Sequence, residues 1–138
     1  MTPEELIENF ELLGNWEERY GYLIDLGRQL EAFPEDQRND ETRVRGCMSQ
    51  VWLTSRVEPG PPRRLFFVGD SDAHIVKGLI ALLLTLCSGR TPQEILALDL
   101  AEIFRKLGLD NHITVNRRNG FFAMVERIHQ LAEREQNA

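Results

Sequence analysis

Residues 73–86 read Ala-His-Ile-Val-Lys-Gly-Leu-Ile-Ala-Leu-Leu-Leu-Thr-Leu. A helix of this composition is apolar on nearly every side, so other elements must cover all of it. It cannot span a bilayer. Its most apolar part, residues 79–86, falls far short of the ~20 residues a spanning helix needs, and Lys77 and Arg90 flank it. The chain is 138 residues long, 42% hydrophobic and 28% charged. That is enough for one domain with its own core, and the balance excludes disorder and collagen-like repeats. Residues 1–138 show no repeats, low-complexity tracts or linkers, and read as a single domain.

The flanking segments supply the cover. Thr2-Pro3-Glu4-Glu5 is a capping box with proline at the first helical position, and Leu6, Ile7, Phe10 and Leu13 follow at helical spacing, with Gly14 as the stop. Asn15 with Glu18 predicts a second cap, ahead of a stripe of Trp16, Tyr20, Leu23, Ile24 and Leu30. Residues 33–41 are polar and read as a loop. From 50 to 57 the period becomes two: Val51, Leu53 and Val57 alternate with Trp52, Thr54 and Arg56. Pro59-Gly60-Pro61-Pro62 is a turn, residues 65–68 are β-prone, and the pair predicts a hairpin. Asp70-Ser71-Asp72 reads as a helix start. After Ser88-Gly89 come a capping box at Thr91-Pro92-Gln93-Glu94, a helix capped by Asp99 and ended by Gly108, and a last helix opening near residues 116–120. That helix buries Phe121, Met124, Val125, Ile128 and Leu131. Helices, a hairpin, then helices make an α+β fold: a small antiparallel sheet covered by helices.

Charge narrows the function. The net charge is −6, against the basic footprint that general nucleic-acid binding needs. Residues 1–42 carry net −9, residues 43–64 net +4, and the remainder −1. The basic block holds Arg43, Arg45, Arg56, Arg63 and Arg64 together with Cys47. Nearby positive charge favours thiolate, the nucleophilic form of cysteine. The same arginines could equally be solvated or paired with the acidic N-terminal region. Residues 1–10 carry Glu4, Glu5 and Glu8 and no basic region, so no signal peptide is expected. A reducing cytosol is the expected compartment. There the two cysteines, Cys47 and Cys87, form no disulfide framework, and without a CxxC or Cys/His cluster no metal or cluster site is expected from this chain alone.

Cys47 lies in Arg45-Gly46-Cys47-Met48-Ser49-Gln50, just before the first strand. It is either a reactive thiol held by a rigid scaffold or a small buried hydrophobe. Cys87, on the apolar helix, reads as core. Asp72 and His74 permit a Cys47–His74–Asp72 triad, but helix capping explains the aspartates without chemistry. His112 and His129 read as surface residues. Arg117-Arg118-Asn119-Gly120 opens the last helix. Two cations there oppose the macrodipole, so a carboxylate, a partner protein or an anionic ligand is one explanation and solvation the other.

Several segments together resemble the SufE/CsdE family of sulfur-acceptor proteins. They are Asn15-Trp16-Glu17-Glu18-Arg19-Tyr20 with Leu26-Gly27; Val44-Arg45-Gly46-Cys47-Met48-Ser49-Gln50-Val51-Trp52-Leu53; Gly69-Asp70-Ser71-Asp72-Ala73-His74-Ile75-Val76-Lys77-Gly78-Leu79; Thr91-Pro92; and Asn116-Arg117-Arg118-Asn119-Gly120. The resemblance covers nearly the whole chain, and Gln50-Val51-Trp52 looks more like the SufE branch. It implies an IscU-like fold and a protein that takes sulfane sulfur from the persulfide of a PLP-dependent cysteine desulfurase. It places the acceptor on Cys47, the arginine of the last-helix loop on Arg117, and the Asp-Ser-Asp loop on Asp70, Ser71 and Asp72, with Arg45 beside the acceptor. Met48, where a polar residue is common, and Arg118 depart from the family pattern. The implied partners are a SufS/CsdA-type desulfurase and a SufBCD-type cluster-assembly scaffold. PLP belongs to the desulfurase, and no cofactor, nucleic acid or membrane is expected for this chain. Its oligomeric state, monomer or dimer, stays open. Two rival readings are a self-contained cysteine hydrolase using Cys47 with His74 and Asp72, and a passive desulfurase-binding adaptor.

Overall fold

Helix α3, His74–Cys87, runs through the middle of the computed structural model, which describes residues 2–137. Leu79 and Leu82 are fully buried, and Ile80, Leu83 and Leu86 nearly so. Each such side chain contributes roughly 1.5–3 kcal/mol by leaving water. Helix α2 (Trp16–Arg28), the hairpin strand β2 (Arg64–Ser71) and helix α6 (Val115–Gln136) all pack on α3. Helix α4 (Pro92–Ala97) packs on α6, and α1 (Pro3–Leu12) meets α5 (Leu100–Lys106). The result is the expected α+β architecture.

The α2–α3 contact is tight because two glycines meet there. A Cβ on Gly78 would lie 2.5 Å from the Leu23 carbonyl oxygen, and one on Gly27 2.8 Å from the Gly78 nitrogen. Gly27 and Leu23 are therefore the buried centre of α2, while Trp16, Tyr20, Ile24 and Leu30 are only partly covered.

β1 (Val51–Glu58) and β2 form one antiparallel hairpin, with Val51 opposite Ser71 and Glu58 opposite Arg64. Along β2, Leu65, Phe67, Gly69 and Ser71 turn inward. Residues 42–44 add a short third segment: the Val44 amide donates to the Val51 carbonyl and the Leu53 amide to the Thr42 carbonyl, both at 2.8 Å. The predicted caps at Thr2, Asn15, Thr91 and Asp99 all form, and Thr91 with Glu94 makes the full reciprocal box. Helix α6 begins earlier than its sequence suggests, because Thr114 caps it by accepting the Arg117 amide.

Asp70-Ser71-Asp72 is not a helix start. Asp70 and Ser71 finish β2, and α3 opens at Ala73 with no side-chain cap. The three polar side chains serve other groups instead. Ser71 Oγ accepts the Ala73 amide, and Asp72 accepts the Gln50 amide across the hairpin. Asp70 pairs with Arg38 and Lys77. The Arg38 guanidinium also lies over Phe33 and Trp52, 5.3 and 4.8 Å from their ring centres. The 33–41 loop thus contains a 3₁₀ turn, Glu35–Gln37, and is anchored by a buried Phe33.

Two outcomes test these contacts. Gly78→Ala lowers stability by about 1–3 kcal/mol through overpacking. Gly21→Ala, exposed on α2 with nothing within 4 Å of its new Cβ, raises it by roughly 0.5–1 kcal/mol. Urea unfolding distinguishes the two. Burial pushes the Asp70 carboxyl up, but the hydrogen bonds from Arg38 and the Ser71 backbone, with the charge of Lys77, outweigh it and hold the group below its ordinary value. A depressed carboxyl stabilises the fold above its unfolded value of about 3.9, and that contribution is lost as pH falls through the folded value. Asp70→Asn is therefore less stable than wild type at neutral pH, and the gap between their urea midpoints closes in acid.

Candidate functional site

Cys47 sits at the tip of a loop whose two limbs are fastened. The incoming limb, through Val44, pairs with Val51. It is also held by Arg127 of α6, which donates to the carbonyls of Glu41 at 3.0 Å and Arg43 at 2.9 Å. The outgoing limb is held where Gln50 and Asp72 exchange hydrogen bonds: the Gln50 amide to the Asp72 carboxylate, and the Asp72 amide to the Gln50 carbonyl. Between these fastenings the chain turns back on itself with Gly46 at φ +91°, a conformation that side-chain-bearing residues resist.

The turn directs the thiol inward. Cys47 is partly buried, and its Sγ donates to the Gly120 carbonyl of α6 at 3.6 Å. It opens on a pocket of about 260 Å³. The floor is apolar, from Val76 and Leu79 of α3 and Phe121 and Met124 of α6; Thr114, Asn116 and Arg117 from the start of α6 form one wall. Met48 and Ser49 border it on the loop side, and Met48 is 81% exposed.

The sequence-derived candidates divide on this geometry. Arg117 shares the pocket with Cys47, and its exposed side chain makes no ion pair among the described residues. Arg45 is exposed and lies on the other side of the loop, beside Ala123 and Glu126. Asp70, Ser71 and Asp72 do not line the pocket. They act as strand and loop fasteners, with Asp72 closest in effect because it holds Gln50.

The basic block does not surround the thiol. Arg56 stacks on Phe66, Arg63 meets Glu135, and Arg64 meets Glu94. Arg63 and Arg64 thus pair with later helices, not with the acidic N-terminal region. Burial alone acts on the Cys47 thiol, and it pushes the group up. Cys87 is fully buried and pushed up to about 12 by burial, with Arg90 opposing. It is core, as read from the sequence.

His74 is exposed at the start of α3, and neither it nor Asp72 lines the pocket. Among the described lining residues there is no histidine, carboxylate or lysine that could take the thiol's proton. Of the other histidines, His112 is exposed, as read from the sequence, and His129 is not. His112 stacks on Trp16 with ring centres 3.8 Å apart, and its Nδ1 meets the Gly108 carbonyl. His129 is half-buried, with Nε2 inside and unpartnered. Two further residues shape the site: Gly120, which the sequence gives only as the end of the Arg117–Gly120 motif with no role of its own, and Arg127, which it does not single out. Gly120 leaves a signal, since an interior helix glycine costs about 1 kcal/mol against alanine and calls for a packing reason. Arg127 leaves none. Among the described residues no group of His, Cys, Asp and Glu is arranged to hold a metal ion, and no helix is long and apolar enough to cross a membrane.

Comparison with known proteins fits this arrangement. A solution structure of a hypothetical protein from Thermus thermophilus superposes with a TM-score of 0.81, covering 99% of this chain and 96% of that one at 21% identity. That likeness establishes the fold. Two proteins named as uncharacterized SufE-like, from Rhizobium etli and Rhizobium meliloti, are each 44% identical over 131 residues. These alignments cover 94% of this chain and 88% and 94% of the relatives. The SufE family model, described as an Fe-S metabolism associated domain, matches residues 4–132. The chain therefore belongs to the SufE family and has its role in iron–sulfur metabolism.

Proposed function

We propose that this protein is a sulfur acceptor. It takes persulfide sulfur from a PLP-dependent cysteine desulfurase of the SufS/CsdA type onto Cys47, stimulates that enzyme, and passes the sulfur to a SufBCD-type assembly scaffold in the cytoplasm. The observation that carries the reading is a lone thiol on a fastened loop, facing an apolar pocket whose described lining contains no base.

In the transfer, the Cys47 thiolate attacks the outer sulfur of the desulfurase persulfide. A sulfur–sulfur bond forms at Cys47, the bond within the donor persulfide breaks, and the desulfurase cysteine leaves as thiolate. Attacker ionisation, leaving-group pKa and access set the rate, as in thiol–disulfide exchange. At rest, burial disfavours the thiolate. Even an unperturbed thiol near pKa ~8.5 is only a few per cent ionised at neutral pH. Moving the loop tip into a partner's site removes that penalty where the donor persulfide waits. The resting protein thus carries a quiet thiol, and the complex a reactive one. A persulfide returned to the pocket meets Val76, Leu79, Phe121 and Met124 in place of solvent, which limits its loss to reductants and oxidants.

A self-contained hydrolase would need a base at the thiol, and the described pocket lining offers none. His74→Ala would abolish a hydrolase and leaves a carrier nearly unaffected. A passive adaptor would still stimulate the desulfurase without Cys47.

After incubation with desulfurase and cysteine, mass spectrometry should find one added sulfur on Cys47. Cys47→Ser abolishes both the adduct and the stimulation, whereas Cys87→Ser keeps both. An adduct that survives Cys47→Ser and vanishes with Cys87→Ser overturns the assignment. Arg117→Ala weakens stimulation at least about fivefold, as expected for loss of an exposed interface arginine worth ~1 kcal/mol or more. Its thermal midpoint stays within about two degrees of wild type, because surface changes without partners seldom exceed ~0.5 kcal/mol. A large drop in that midpoint would show Arg117 to be structural.

A further inference from the structure

Gly120 lies in the second turn of α6, a place where glycine is disfavoured. Its backbone does not require glycine, since the positive-φ glycines are Gly46, Gly89 and Gly108. Space is the remaining reason. A Cβ built on Gly120 would lie 3.3 Å from Cys47 Sγ, 3.7 Å from its Cβ and 3.9 Å from its Cα. The same residue's carbonyl is the acceptor for the thiol. Gly120 is buried, and it lines the pocket between Arg117 and the apolar floor. Across the loop, a Cβ on Gly46 would come within 3.4 Å of the Ala123 Cβ, one turn further along α6. The loop tip is therefore seated directly on the α6 backbone.

We propose that Gly120 is the positioning residue for the acceptor thiol: its missing side chain provides the space that Cys47 Sγ occupies at rest, and its carbonyl receives the S–H. The inference rests on Cys47 being the working thiol, as proposed above, and it assigns to one helix position the control of how deeply that thiol is stowed. A Cβ 3.3 Å from Sγ is tighter than an ordinary contact, so its neighbour must give by a few tenths of an ångström. The α6 backbone is held by its own hydrogen bonds and by the packing of Phe121 and Met124 on the core, so the part that yields is the loop tip, and the thiol moves toward solvent.

The test is the alkylation of both cysteines by iodoacetamide at fixed pH, followed peptide by peptide in wild type, Gly120→Ala and Gly120→Val. The rate at Cys47 rises at least about threefold in the alanine variant and further in the valine variant, as access and ionisation improve together. The rate at fully buried Cys87 does not change. An unchanged or slower rate at Cys47 overturns the proposal. So does an equal rise at Cys87, which marks general loosening. Any fall in thermal midpoint caused by Gly120→Ala is relieved in the Cys47→Ala background, where the atom it crowds is gone; a fall of the same size there also overturns the proposal. None of these measurements uses a desulfurase, so they stand or fall separately from the sulfur-transfer assay.

Discussion

The molecule is arranged around a helix that is buried along most of its length. Because α3 is apolar on nearly every side, α2, the hairpin and α6 must all close on it. That closure produces the site. The outer end of β2 leads straight into the start of α3, so the fastener Asp72 arrives beside the loop before β1. The first turns of α6 come down on the same end of α3, bringing Arg117 and Gly120 to the pocket of Cys47. Val76 and Leu79, which would be ordinary core residues anywhere else, become the pocket floor. The packing requirement of one helix and the position of one thiol are therefore the same constraint.

The electrostatics of the site run opposite to what charge along the chain suggests. Five arginines lie within the 43–64 segment, yet burial alone sets the direction of the resting thiol. A hydrophobic surround and a carbonyl acceptor both favour the neutral S–H over the thiolate. Such a thiol makes a poor resting nucleophile and a well-protected one. Arginines of that segment serve the hairpin and the later helices instead: Arg56 lies over Phe66, and Arg63 and Arg64 pair with Glu135 and Glu94.

The parts of this structure that are legible in the sequence are those decided within four residues. The caps at Thr2, Asn15, Thr91 and Asp99 involve a side chain and a backbone amide three positions on, so local spacing specifies them. The period change at residue 50 and the Pro-Gly-Pro-Pro turn make the hairpin equally readable. Asp70-Ser71-Asp72 misleads because the same residue types that cap helices also serve backbone amides across a hairpin, and sequence does not tell which amide is in reach. Of the site, the motif around Cys47 is legible, and Arg117 is suggested by its awkward place on a helix dipole. That Arg117 shares the thiol's pocket while Arg45 does not depends on which side of the loop faces α6. The closeness of Gly27 to Gly78, and of Gly120 to Cys47, arises only when distant segments pack.

A carrier faces two conflicting demands. Its sulfur must be unreactive toward everything dissolved around it, yet reactive toward one partner. A catalytic base at the thiol would satisfy the second demand at the expense of the first, since it would keep the sulfur ionised in every encounter. The geometry here separates the two in space. The limbs of the loop are fixed at Val44, Arg127 and the Gln50–Asp72 exchange, so the proposed transfer asks only the tip between them to move. In the transfer proposed above, moving the charged form out of a low-dielectric pocket would itself be the activating step, because the cost of desolvation is removed in the same motion that exposes the atom. On that reading, a fastened loop over an apolar pocket does with position what a hydrolase does with a neighbouring histidine.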